Sequence, residues 1–257
     1  MNRPGRNSLI TLALVTVGCS AIVAADAPSE TGFVNRVYRP AGDESKYVVF
    51  IPHDYDGSKA YPTILFLHGL SQSGDDGLAQ AGRGLATAIR KRERTFPFIV
   101  VFPQSRDRTW LAESADGKRA LAIVDEVRRE YRVDDRRLYL TGYSMGGEGT
   151  FSIAAAHPER FAAIIPICGG ISSSLAPRLK DIPCWCFVGD ADAPSTVTQI
   201  RLLVRAIMQA GGRPTYQEYP GVGHACWDQT YDNPDIYEWL LMQRLPQDPA
   251  VPAALMR

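Results

Sequence analysis

Runs of consecutive apolar residues, each closed by glycine or proline, restrict this chain more than any other feature. Thr63-Ile64-Leu65-Phe66-Leu67 ends at His68-Gly69, and Phe98-Ile99-Val100-Val101-Phe102 ends at Pro103. Leu138-Tyr139-Leu140 leads into Gly142, Ala163-Ile164-Ile165-Pro166-Ile167 into Gly169, and Cys184-Trp185-Cys186-Phe187-Val188 into Gly189. A strand that is apolar on both faces belongs in a parallel sheet covered by helices on each side. Tyr47–Ile51 reads as an earlier strand and Thr215–Tyr219 as a later, more polar one.

Segments of helical period separate these runs. Leu121, Val124, Val127 and Tyr131 recur at spacings of three and four, as do Val197, Ile200, Leu203, Val204, Ile207 and Met208 ahead of Gly211-Gly212. Asn233-Pro234 reads as a helix cap and first helical position before Ile236, Tyr237, Leu240 and Leu241. This alternation predicts a doubly wound α/β fold over residues 30–245, with a mostly parallel sheet and helices on both faces. Ligands are then expected at the carboxyl ends of the strands. Residues 246–257 read as a loose tail.

The first 25 residues have a different character. Arg3 and Arg6 precede the charge-free run Leu9–Val17, and small residues follow through Ala21, Ala24 and Ala25. That layout is a secretory signal peptide. Its apolar core is shorter than the roughly 20 residues of a spanning helix, so stable membrane insertion is not expected. The chain is therefore expected to be exported, to a periplasm or beyond the cell; the alternative is a lipoprotein anchored through Cys19. Cys168, Cys184, Cys186 and Cys226 are expected as buried thiols, with one disulfide as the alternative, since a chain of this length needs no staples. The 28 Lys and Arg balance the 28 Asp and Glu. Without a net positive charge, nothing attracts a phosphate backbone over distance, and no nucleic-acid partner is expected.

Gly142-Tyr143-Ser144-Met145-Gly146-Gly147 places Gly-x-Ser-x-Gly directly after an apolar strand and at the start of a helix of small residues. In that setting the motif predicts a sharp turn that presents the Ser144 hydroxyl above the sheet. A serine hydroxyl is a weak nucleophile at neutral pH, so it needs a base, and the base needs an orienting acid. Of the four histidines, His224 in Gly221-Val222-Gly223-His224 follows the last strand and is the one free to reach Ser144. His68 suits a loop-shaping role. For the acid, Asp192 in Gly189-Asp190-Ala191-Asp192 is favoured over Asp190, which suits the turn itself; Asp228 is an outsider. The amides of Met145 and Leu70 are the expected oxyanion donors. Tyr143, Trp227 and Trp110 are candidates for the substrate pocket, with a core role the equal alternative for Trp110.

These motifs resemble the α/β-hydrolase superfamily across nearly the whole mature chain. Leu65–Gly69, Asp134–Gly147, Phe161-Ala162-Ala163 with Cys168-Gly169-Gly170, and Gly223-His224 with Trp227 are similar to secreted phospholipase/carboxylesterase-like and predicted-peptidase esterases. The resemblance implies a serine hydrolase without metal or cofactor that forms an acyl-enzyme, with Ser144, Asp192 and His224 as its catalytic residues. Its chain order of serine, acid and histidine is that of the fold. One departure is Ala193-Pro194-Ser195 after Asp192, where relatives often carry Val-Pro. The dozen residues 169–182 are too few for a large helical lid. An open site suits a small-molecule or polymer-linked ester. The competing readings are a peptidase of prolyl-oligopeptidase-like type and a glycan- or surface-binding protein on a hydrolase scaffold.

Overall fold

The apolar runs become the inner strands of an eight-stranded sheet. The computed structural model describes residues 30–40 and 42–247. The expected signal peptide with Cys19, and the tail beyond residue 247, lie outside the described residues. In chain order the strands are β1 (Gly32–Tyr38), β2 (Ser45–Ile51), β3 (Tyr61–Leu67), β4 (Ile99–Pro103), β5 (Val133–Tyr143), β6 (Ala163–Ile167), β7 (Trp185–Gly189) and β8 (Thr215–Tyr219). The helices are α1 (Leu85–Arg90), α2 (Ala115–Glu130), α3 (Met145–Ala156), α4 (Ala176–Leu179), α5 (Pro194–Gln209), α6 (Trp227–Asp232) and α7 (Asp235–Met242).

Across the sheet the strands run β1-β2-β4-β3-β5-β6-β7-β8. The pairs β1/β2 and β2/β4 are antiparallel, and every pair from β4/β3 to β7/β8 is parallel. Strand β1 is absent from the sequence reading, because Asn35 and Arg36 break its apolar pattern. It is an edge strand, exposed at Asn35, and it needs only one apolar face.

Alternation within each run sorts side chains into two layers. Leu65, Leu67, Val101 and Leu140 join one, with residues of α2, α3 and α5. Ile64, Phe66, Val100, Phe102 and Tyr139 join the other, with residues of α1, α6 and α7. Each buried aliphatic or Phe side chain in these layers contributes roughly 1.5–3 kcal/mol relative to exposure. This is the physical reason that these strands are apolar at every position.

Helix ends follow local chemistry. The Ser114 hydroxyl accepts the Gly117 N–H at the start of α2 (3.0 Å). Pro194 opens α5, and Gly211, with φ of +96°, follows its end. Helix α7 begins at Asp235, one residue later than the sequence suggests, with its N–H donated to the Asn233 side chain. Between β6 and β7 the chain makes only a 3-10 turn (Ser173–Leu175) and the four-residue α4, so no lid forms there. The four cysteines are buried and unpaired by disulfide, with Cys184 and Cys186 in the same apolar layer. Among the described residues, no helix is long and apolar enough to cross a membrane.

Candidate active site

The carboxyl ends of β3, β5, β7 and β8 carry the residues singled out from the sequence. Ser144 lies between β5 and α3 with φ of +56° and ψ of −121°. A non-glycine residue in that region is strained by roughly 1–3 kcal/mol and persists only where its surroundings enforce it. Here backbone contact enforces it. The Ser144 N–H donates to the Ile167 carbonyl (2.9 Å). A Cβ on Gly146 would stand 1.9 Å from the Leu67 carbonyl oxygen, and one on Gly147 2.4 Å from that of Ile167. The glycines of the motif therefore let α3 start almost against β3 and β6, which lifts the Ser144 hydroxyl out of the sheet.

His224 sits in the loop between β8 and α6. Its Nε2 lies 2.9 Å from Ser144 Oγ and its Nδ1 lies 2.7 Å from Asp192 Oδ2. The histidine side chain is 45% exposed and that of Asp192 only 4%, so the carboxylate is shielded and the imidazole remains open to the cleft. The other oxygen of Asp192 accepts the Ala193 N–H (2.6 Å). Asp190 instead accepts the Gly221 N–H (2.7 Å), which ties the turn after β7 to the histidine loop. Asp228 lies exposed in the first turn of α6, without a side-chain bond to His224.

The turn after β3 faces Ser144 from the other side. Neither the Leu70 amide nor the Met145 amide has an acceptor among the described residues, as expected for the first amides of a helical turn. His68 holds this turn in place. It is fully buried, accepts the Ser105 N–H at Nε2 (3.0 Å) and donates from Nδ1 to the Gly69 carbonyl (2.7 Å). Burial pushes its pKa down to about 4, so the ring is neutral and the two bonds fix its tautomer. Gln104 adds a second tie by donating to the Gln72 carbonyl (3.0 Å) and accepting the Gly77 N–H (2.8 Å).

The three aromatic candidates divide. Trp227 and Tyr143 line a cleft of about 380 Å³ with Gly69, Leu70, Ser144 and His224. Their rings stack at 4.4 Å. Tyr143 is nevertheless mostly structural: its ring lies where a Gly69 Cβ would come within 2.5 Å, and its hydroxyl donates to Gln72 (2.7 Å). Burial raises that hydroxyl's pKa to about 12. Trp110 does not reach the cleft. It is 1% exposed beneath the turn, with Nε1 donating to the His68 carbonyl (3.0 Å), which corrects its assignment to the substrate pocket. Arg108, two residues before it, and Arg83 are lining residues that the sequence reading did not single out. Flanking glycines at Gly82 and Gly84 were the one local signal for Arg83.

Comparison with known proteins gives the family and the fold. Residues 40–250 match the family described as "Putative esterase". The chain is similar to a "Bifunctional acetylxylan esterase/xylanase XynS20E" of Neocallimastix patriciarum, at 31% identity over 51% of this chain and 19% of that protein. It is also similar to a "Probable feruloyl esterase C" of Aspergillus terreus, at 25% identity over 65% of this chain and 63% of the relative. The chain thus spans about a fifth and under two thirds of these two curated relatives. Among solved structures, one described as a thermostable esterase superposes with a TM-score of 0.75 at 32% identity, covering 82% of this chain and 63% of that one. The fold is that of the α/β-hydrolases.

Proposed function

The chain belongs to the putative-esterase family, and from that premise we propose that it is an exported serine hydrolase that cleaves carboxylic esters. The observation that carries the proposal is the pair of hydrogen bonds joining Ser144, His224 and Asp192 at 2.9 and 2.7 Å. In the mechanism they support, Ser144 Oγ attacks the ester carbonyl while His224 Nε2 takes its proton. Asp192 accepts from Nδ1–H and stabilises the imidazolium. The oxyanion that develops lies between the Met145 and Leu70 amides, a contact of the kind whose loss costs roughly 2.7–4 kcal/mol. His224 then returns the proton to the departing alcohol, leaving Ser144 acylated. A water molecule, deprotonated by the same nitrogen, attacks the acyl carbonyl. As the bond to Ser144 Oγ breaks, His224 returns that proton to the oxygen, freeing the acid and restoring the serine.

The names of the relatives, acetylxylan and feruloyl esterases, favour an ester linked to a carbohydrate. The short connection between β6 and β7, which forms no lid, suits a substrate whose alcohol is part of a polymer. Residues 1–25 supply the export signal.

The test is covalent labelling with a fluorophosphonate together with hydrolysis of p-nitrophenyl acetate. Both are expected in the wild type, both are lost in Ser144→Ala, and both persist in Ser152→Ala, whose hydroxyl accepts the Ala112 N–H away from the cleft. A wild-type protein that is neither labelled nor active would falsify the proposal. Turnover of peptide anilides in preference to esters would move the activity to amide bonds.

A further inference from the structure

We infer that the cleft is selective for esters that carry a carboxylate, recognised by the guanidinium groups of Arg83 and Arg108. This rests on the esterase reading of Ser144. Both arginines line the cleft with Ser144 and His224, and among the described residues no Asp or Glu lines it. Neither forms an ion pair or a side-chain hydrogen bond among the described residues, although their basic neighbours do. Arg106 pairs with Asp43, and Arg119 with Asp116. The loop after β4 thus neutralises one of its arginines and leaves the other open to the cleft.

That loop is built rather than loose. Asp116, fully buried in the first turn of α2, accepts the Ser105 hydroxyl (2.6 Å) and the Asp107 N–H (2.7 Å). Ser105 Oγ in turn accepts the Thr109 N–H (3.2 Å). Between these anchors Arg108 has φ of +57°, a conformation that disfavours any side chain. A strained non-glycine residue, held by a buried carboxylate beside the nucleophile, is a reason to look for a role in its side chain.

Arg83 is placed by a second segment, between a 3-10 turn and α1, next to Gly84. Gly84, with φ of +64°, passes so close over Tyr143 that a Cβ would stand 2.9 Å from the ring. Arg83 therefore stands beside the aromatic floor, and its charge acts on the Tyr143 hydroxyl against the effect of burial. A guanidinium presents a planar fork that matches two carboxylate oxygens, and two forks over a short cleft favour a planar anion close to the scissile bond. The stacked Tyr143 and Trp227 rings leave an apolar wall for the carbon chain between ester and anion.

The carboxylate could belong to the acyl or the alcohol half, and two substrate pairs distinguish these. Mono-(4-nitrophenyl) glutarate against its methyl ester probes the acyl half; 4-acetoxybenzoate against methyl 4-acetoxybenzoate probes the alcohol half. In at least one pair, kcat/KM is expected to favour the anion about tenfold, carried by KM and weakened by salt. In the Arg83→Gln/Arg108→Gln variant that ratio falls to about one, and in Arg83→Lys/Arg108→Lys part of it returns. Arg108→Gly removes the side chain and relieves the positive φ, so it loses preference without a lower unfolding temperature. Equal or better turnover of the methyl ester in both pairs, or an unchanged ratio in the glutamine variant, overturns the inference while leaving the esterase reading intact. Failure to cleave any of the four esters overturns both.

Discussion

The two sides of the cleft position their groups by different physical means. On the nucleophile side, main chain lies against main chain. The Gly146 and Gly147 positions admit no Cβ, and the turn after β3 is tied down through His68, Gln104 and Trp110. On the base side, His224 rides on a loop where Gly223 has open space, its nearest neighbour for a Cβ being 3.9 Å away. Main chain meets main chain there only at its root, where a Cβ on Gly189 would stand 2.1 Å from the Val222 carbonyl oxygen and 2.4 Å from that of Gly223. Beyond it the loop is held by polar contacts: the Asp192 carboxylate, the Asp190 bond to Gly221, and the Ala191 N–H donated to the Val222 carbonyl (3.0 Å). In the proposed mechanism the nucleophile and oxyanion amides stay in place as charge develops on the substrate. In the same proposal the histidine hands a proton from one oxygen to another, and the space around Gly223 permits that small movement.

Asp192→Asn strikes the base side where it depends most on one contact. An amide at that position favours the wrong imidazole tautomer, and kcat for p-nitrophenyl acetate is expected to fall about 10⁴-fold. An unchanged rate would mean that packing alone orients His224. Gly146→Ala attacks the other side through backbone overlap, and a loss of about 4 kcal/mol in denaturant unfolding is expected. Gly223→Ala is its control on the histidine loop, with a change of less than about 0.5 kcal/mol. Equal costs at the two glycines would erase the distinction drawn between the sides.

Acid provides an intermediate effect that also separates them. His68 has a folded pKa of about 4, below its usual value of 6.5, so the unfolded chain binds the extra proton first as pH falls. Its contribution is complete above about pH 6.5 and is lost as pH drops toward 4, by about 3 kcal/mol in total. Unfolding free energies measured across this window are expected to decline less steeply in His68→Gln. A slope that is the same in both proteins would place the acid sensitivity elsewhere.

Much of this was legible in the chain itself. Runs with no polar face can only be inner strands, and Gly-x-Ser-x-Gly between such a strand and a helix marks an elbow. The choice of Asp192 over Asp190 was less secure, because two carboxylates separated by one residue have similar access along the sequence. The fold separates them by giving Asp190 the Gly221 amide and Asp192 the imidazole. Trp110 was ambiguous for a related reason: an indole serves equally as a pocket wall or as a buried donor, and here a backbone carbonyl claims it. Arg83 and Arg108 left almost no trace, since their distinction is a place in the cleft beside Ser144 and His224, which remote segments assemble.

Sequence by itself determined the layering, the order of strands and helices along the chain, and the glycines without which the elbow cannot form. These follow from local pattern and from volume, both of which are properties of neighbouring residues. Tertiary structure alone decided which carboxylate meets His224, which tryptophan faces the cleft, and which arginines line it without a counter-charge among the described residues. Those outcomes depend on distances between loops 30 to 80 positions apart in the chain, and such distances exist only once the sheet has set the spacing of its strand ends.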